Sequence, residues 1–161
     1  MRIDTASTKY LVIAAILLPA VPPTSARAGG QQVHGCTFAV KPRCVSGEAR
    51  VTLTDGRITK IEVDVFWCGR RGSPGYTCTI DASRGDADSK WSEDGGATII
   101  DNMAPWSTSE PDRVKVTAGP ELSIDLGEAQ SLGRCGAGAE LPRAIVIPGR
   151  KGACRVSLGS P

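Results

Sequence analysis

The chain has 161 residues, 19 of them Lys or Arg and 17 Asp or Glu, with 40% hydrophobic, 4% aromatic and 22% charged residues. That length fits a single domain. A net charge of +2 spread along the chain gives no electrostatic footprint for nucleic acid or an anionic membrane, and one histidine excludes any site that needs two imidazoles.

Residues 1–28 read as a secretory signal peptide, and 29–161 as one exported β domain. Arg2 and Lys9 make a basic start, Leu11–Ala20 is the apolar stretch, Pro22 and Pro23 stop any helix, and Ala26-Arg27-Ala28 supplies a small-x-small cleavage pattern. The apolar run is too short to span a membrane, which takes about 20 residues. Arg2, Lys9, Arg27 and Asp4 fall in this segment, so removing them from the 19 and 17 leaves 16 charges of each sign. Val33-His34-Gly35-Cys36 faintly resembles a lipid-attachment box. His34 fits poorly there, and Cys36 lies far beyond the apolar run. The arginine-, glycine- and alanine-rich composition suggests a GC-rich bacterial source, so the expected location is the periplasm or the extracellular space.

After export the chain keeps Cys36, Cys44, Cys68, Cys78, Cys135 and Cys154, an even number that in an oxidising space implies three disulfides. No C-x-x-C is present, which argues against zinc and against a thioredoxin-like role. Proximity in sequence favours Cys36–Cys44, Cys68–Cys78 and Cys135–Cys154.

Short alternating runs separated by Gly, Pro and Asp predict strands over 36–40, 48–53, 57–68, 76–82, 97–101, 113–118, 122–126, 144–147 and 154–158. Residues 29–35 read as a loose start and 102–112 as a connector. The fold class is therefore all-β: a small antiparallel β-sandwich or partly open barrel, stapled by disulfides. Parity is the test of register, since a slip of one residue inverts a strand. A two-residue Asp55-Gly56 turn would set Val51 opposite Lys60. A bulged Thr54-Asp55-Gly56 loop pairs Val51 with Thr59 and puts Ala49, Val51, Leu53, Ile61, Val63, Val65 and Trp67 on one face, so the bulged form is expected. With Gly119-Pro120-Glu121 as a second loop, Val116 meets Ile124 and Val114 meets Leu126, leaving Lys115, Thr117, Ser123 and Asp125 toward water.

Several chemistries can be weighed on their residues. Asp81, Asp86, Asp88, Glu93 and Asp94 form an oxygen-rich stretch over 81–96, but an EF-hand register from Asp86 places Lys90 at a ligand position and Trp91 where glycine is required. A polar loop leading into a hairpin turn is expected instead. Arg84-Gly85-Asp86 matches the integrin-adhesion tripeptide, a motif short enough to arise by chance. Among 16 acids, some pair will meet the carboxylate spacing of a glycosidase accidentally, so none is nominated. His34 is the sole candidate imidazole base, without a nucleophile elbow, and Gly72-Ser73-Pro74-Gly75 lacks the required spacing. Gly133, Gly136 and Gly138 match neither dinucleotide nor P-loop patterns. No catalytic, cofactor-binding or metal-ligating residue is nominated, and no cofactor is expected.

The most distinctive stretch is Cys68-Gly69-Arg70-Arg71-Gly72-Ser73-Pro74-Gly75-Tyr76-Thr77-Cys78. Closed by a disulfide, it would project as a constrained loop in which Arg70 and Arg71, flanked by Trp67 and Tyr76, are candidate partner contacts. Some protease inhibitors present basic residues on such loops. In overall form the chain resembles small periplasmic inhibitor and binding-module families, lysozyme inhibitors among them; that likeness is architectural and carries no residue over. The expectation is an exported, non-enzymatic binding or inhibitory module whose partner is a protein or an envelope component. The alternatives are a structural envelope protein and a small carboxylate-based secreted hydrolase. Ligand and oligomeric state stay open.

Overall fold

A computed structural model describes residues 30–69, 75–101, 112–129, 134–135 and 139–159. Residues 1–28, expected to be a signal peptide, and the arginines of the 70–74 stretch lie outside the described residues. Alternation builds ten strands among those described: β1 (Gln31–Val40), β2 (Val45–Thr54), β3 (Arg57–Trp67), β4 (Tyr76–Ser83), β5 (Lys90–Asp94), β6 (Ala97–Asp101), β7 (Arg113–Thr117), β8 (Leu122–Glu128), β9 (Ala144–Ile147) and β10 (Arg155–Ser157). They form two antiparallel sheets, one ordered β1-β2-β3-β4 and the other β10-β9-β8-β7-β6-β5. The molecule is thus a disulfide-stapled β-sandwich, not a closed barrel.

Each sheet buries one face, as packed antiparallel sheets require. Val51, Ile61, Val63 and Val65 from the first sheet, and Ile100, Val114, Val116, Ile124 and Ile145 from the second, are fully buried in one core cluster. Fully burying a Val or Ile side chain stabilises by about 1.5–3 kcal/mol. These β-branched residues therefore supply both the strand preference and the driving force. No buried side-chain nitrogen or oxygen among the described residues lacks a hydrogen-bond partner.

The first hairpin corrects one expected register. Thr54 pairs with Arg57 across a two-residue turn, with positive φ at both Asp55 (54°) and Gly56 (76°), as a type I′ turn demands. The register then shifts between Thr52 and Leu53, so Val51 faces Ile61 and Ala49 faces Val63. The extra residue is Thr59, whose hydroxyl donates to the Thr52 carbonyl (3.3 Å) and shares a hydrogen bond with the Thr54 hydroxyl (3.1 Å). The expected face is preserved because a shift of two residues keeps parity. In the second hairpin Val116 meets Ile124, but a register shift between Arg113 and Lys115 displaces the Val114–Leu126 pair.

Two further expectations change. Residues 31–35 are not loose: β1 begins at Gln31, and Gln31–Gly35 pair with Arg50–Thr54. The 81–96 stretch holds the end of β4 and all of β5, which pairs with β6 across the Gly95-Gly96 turn. Its carboxylates go to separate partners. Asp81 faces Lys60 (3.5 Å), Asp86 accepts from the Ser83 N–H (2.7 Å), and Glu93 accepts from Thr98 (2.8 Å).

All six cysteines are bonded, but as Cys36–Cys154, Cys44–Cys68 and Cys78–Cys135, so none of the three neighbour pairings forms. Strand length is the reason. Cys36 sits opposite Ala49, several residues along β1 from the turn that carries Cys44, a separation of more than about 13 Å at ~3.3 Å per residue. Cys78 lies opposite Val65, whereas Cys68 follows the end of β3. The Cys36–Cys154 bond also removes the sulfur that lipid attachment would need.

Candidate functional site

The three longest connections between the described strands share one end of the sandwich. Registers and the Arg84 contacts place the tight turns 55–56, 95–96 and 118–121 at one end, with the 84–89 and 148–154 segments. The opposite end carries the connections 68–75, 102–112 and 129–143, together with the 3-10 turn Lys41–Arg43. Long loops on a rigid scaffold are where recognition is usually built.

That end is heavily tied. Cys44–Cys68 joins the β1–β2 turn to the end of β3, and Cys78–Cys135 joins β4 to the β8–β9 connection. The Trp67 indole N–H donates to the Glu140 carbonyl at 2.8 Å. Asp112 and Arg134 form a bidentate pair at 2.6 and 2.7 Å, their side chains 0% and 7% exposed. Arg43 donates to the Gly159 carbonyl at 2.9 Å. Such ties reduce the entropy that loops lose on meeting a partner.

Of the expected contact residues, Trp67 and Tyr76 stand opposite each other at the ends of β3 and β4, half-buried and packed against the core. Arg70 and Arg71 fall between them in sequence, outside the described residues. Cys68 and Cys78 do not close this loop; its two ends are instead tied to different partners, Cys44 and Cys135. The sequence reading passed over Phe66. Parity turns it away from Val65 and Trp67 onto the outer face, where it is 44% exposed and leans over the Gly75 backbone. Beside it lies a shallow groove of about 370 Å3 bordered by Thr37, Ser46, Asp64 and Thr77, with the Asp64 carboxylate accepting from the Thr79 hydroxyl (2.9 Å). The alternation of 57–67 already carried this signal. A second groove of about 570 Å3 lies at the β8–β9 connection, lined by Asp125, Glu128, Glu140, Leu141 and Arg143.

The adhesion-like tripeptide is committed internally. Arg84 donates to the Ile58 carbonyl (3.2 Å), pairs with Glu93, and lies 5.1 Å from the Trp91 ring centroid. The Asp86 carboxylate is held by the Ser83 N–H. Both side chains thus make internal bonds while the tripeptide itself stays exposed. The Thr98 hydroxyl bond, then Arg84, hold the Glu93 carboxyl below its ordinary range. His34 lies on β1 opposite Val51, half-buried, in no cluster of metal-ligating groups among the described residues.

The site defines a class: a disulfide-stapled β-sandwich that gathers its long connections at one tied end. Compared with known protein families, curated proteins and solved structures, the chain gives no match.

Proposed function

We propose that this protein is an exported, non-enzymatic binding or inhibitory module whose partner is a protein or an envelope component. It works in the periplasm or outside the cell after loss of residues 1–28. The observation that carries the reading is that the three longest connections, 68–75, 102–112 and 129–143, gather at one end of the sandwich, where disulfides tie the first and the last. Three disulfides fit an oxidising compartment, and no helix among the described residues is long and apolar enough to cross a membrane. The contact centres on Arg70, Arg71 and the exposed Phe66, framed by Trp67 and Tyr76. Arginine and aromatic side chains are frequent interface anchors.

The test compares capture of envelope components by the wild type, by R70A/R71A and by R150A/K151A. Arg150 and Lys151 are another adjacent basic pair, exposed in the 148–154 segment at the opposite end. A specific partner should be lost with the first variant and retained with the second. Equal loss with both would reduce the interaction to general charge, and unchanged capture with the first would remove the 68–75 connection from the contact.

A further inference from the structure

The three disulfides differ in setting. Cys36 and Cys154 are each 9% exposed and Cys78 is fully buried, so two of the bonds are anchored in the core cluster. Cys44 and Cys68 are both exposed. Cys44 also has φ of 51°, a left-handed backbone that a side-chain-bearing residue adopts only at a cost. It closes the 3-10 turn by donating its N–H to the Lys41 carbonyl at 3.1 Å. The bond is also redundant for strand pairing. Val45 and Trp67 pair immediately beside it, and the Cys68 N–H donates to the Cys44 carbonyl at 3.0 Å. Exposed disulfides are the labile ones in thiol exchange, whereas buried structural ones resist it.

We propose that Cys44–Cys68 is a thiol-exchange site, reduced selectively by an external dithiol while the sandwich stays folded. In the exchange, a thiolate of the dithiol attacks the Cys68 sulfur, forming a mixed disulfide and breaking the Cys44–Cys68 bond. Cys44 leaves as the thiolate, from a turn that also carries the cationic residues Lys41 and Arg43. The second thiol of the reagent then attacks the mixed disulfide and releases Cys68. Two electrons pass from dithiol to protein, and the reagent leaves as its cyclic disulfide. Reduction removes the covalent tie between the 41–44 turn and the 68–75 connection, and leaves Cys36–Cys154 and Cys78–Cys135 in place.

The experiment treats the folded, oxidised protein with limiting dithiothreitol, alkylates at intervals, and maps the label by peptide mass spectrometry while near-UV circular dichroism reports the fold. Labelling of Cys44 and Cys68 at least about ten-fold faster than the other four cysteines, with an unchanged spectrum, is the expected result. Reduction of all three bonds together, reduction of another bond first, or selective reduction with loss of the spectrum would each overturn the proposal. A parallel exposure to glutathione, a monothiol, reads the direction. The adduct should accumulate on Cys68 with Cys44 alkylatable, and accumulation on Cys44 would refute the assigned leaving group.

Discussion

Asp112 and Arg134 offer the sharpest quantitative test of how the loop end is held. Their side chains are 0% and 7% exposed and meet through two parallel hydrogen bonds of 2.6 and 2.7 Å. Replacing Asp112 by Ala takes the carboxylate from a guanidinium that is only 7% exposed, a change that costs about 3–5 kcal/mol in comparable buried pairs. Against a total stability of roughly 5–15 kcal/mol, that is a third or more of what holds the domain together. Arg134→Met takes the guanidinium from the buried carboxylate and should cost a similar amount. The double variant Asp112→Leu/Arg134→Met removes both charges, so it should cost at least about 2 kcal/mol less than the sum of the two single changes. Urea unfolding with disulfides intact, followed by tryptophan fluorescence and far-UV circular dichroism, gives the three values if the slope against denaturant stays constant. Single changes costing under about 1 kcal/mol, or strictly additive costs, would refute a buried, coupled pair.

Three further outcomes are expected. Gly47→Ala would drive a Cβ into the Asp64 carbonyl and to 2.6 Å from the Phe38 ring that covers Gly47 across the β1–β2 pair, so urea unfolding should show a loss of roughly 1–3 kcal/mol. Because the folded Glu93 carboxyl titrates below its ordinary 4.5, its contribution is present above that value and is lost as pH falls through the lower folded one. The stability gap between wild type and Glu93→Gln, read from thermal unfolding, should therefore be small at neutral pH, at most about 1 kcal/mol at 56% exposure, and should close as pH falls through the lowered folded value. Removing Cys36–Cys154, whose sequence separation of 118 is shortened by the two bonds nested inside it, should cost about 4 kcal/mol, against about 3.5 kcal/mol for Cys44–Cys68 at a separation of 24; the order of the two unfolding midpoints checks this.

The sandwich was legible because parity is robust. Ala49, Val51, Ile61, Val63 and Val65 share a buried face whichever even shift the hairpin takes, and the same robustness hid the true register, which turned on a Thr59 hydroxyl. β5 escaped detection because Lys90-Trp91-Ser92-Glu93-Asp94 lacks an apolar period; as an edge strand it buries little, and its charged residues suit an unpaired edge. The Gln31–Gly35 start of β1 was silent for the same reason. Disulfide pairing was misread because closeness along the chain is a poor guide where strands carry neighbouring cysteines apart and sheet packing brings distant ones together. At the loop end, the aromatic content near Arg70 and Arg71 was visible, but which ring faces water followed from a parity rule applied only to the core.

The Cys36–Cys154 bond has a mechanical consequence. It is a covalent shortcut across nearly the whole described chain, from the first strand of one sheet to the foot of the last strand of the other. Tension applied outside residues 36 and 154 would run through two sulfur atoms, while everything between them bears no load. Stretching the molecule in a force spectrometer should therefore show almost no lengthening until that bond is cut, however weak the hydrogen-bonded ladders are to shear.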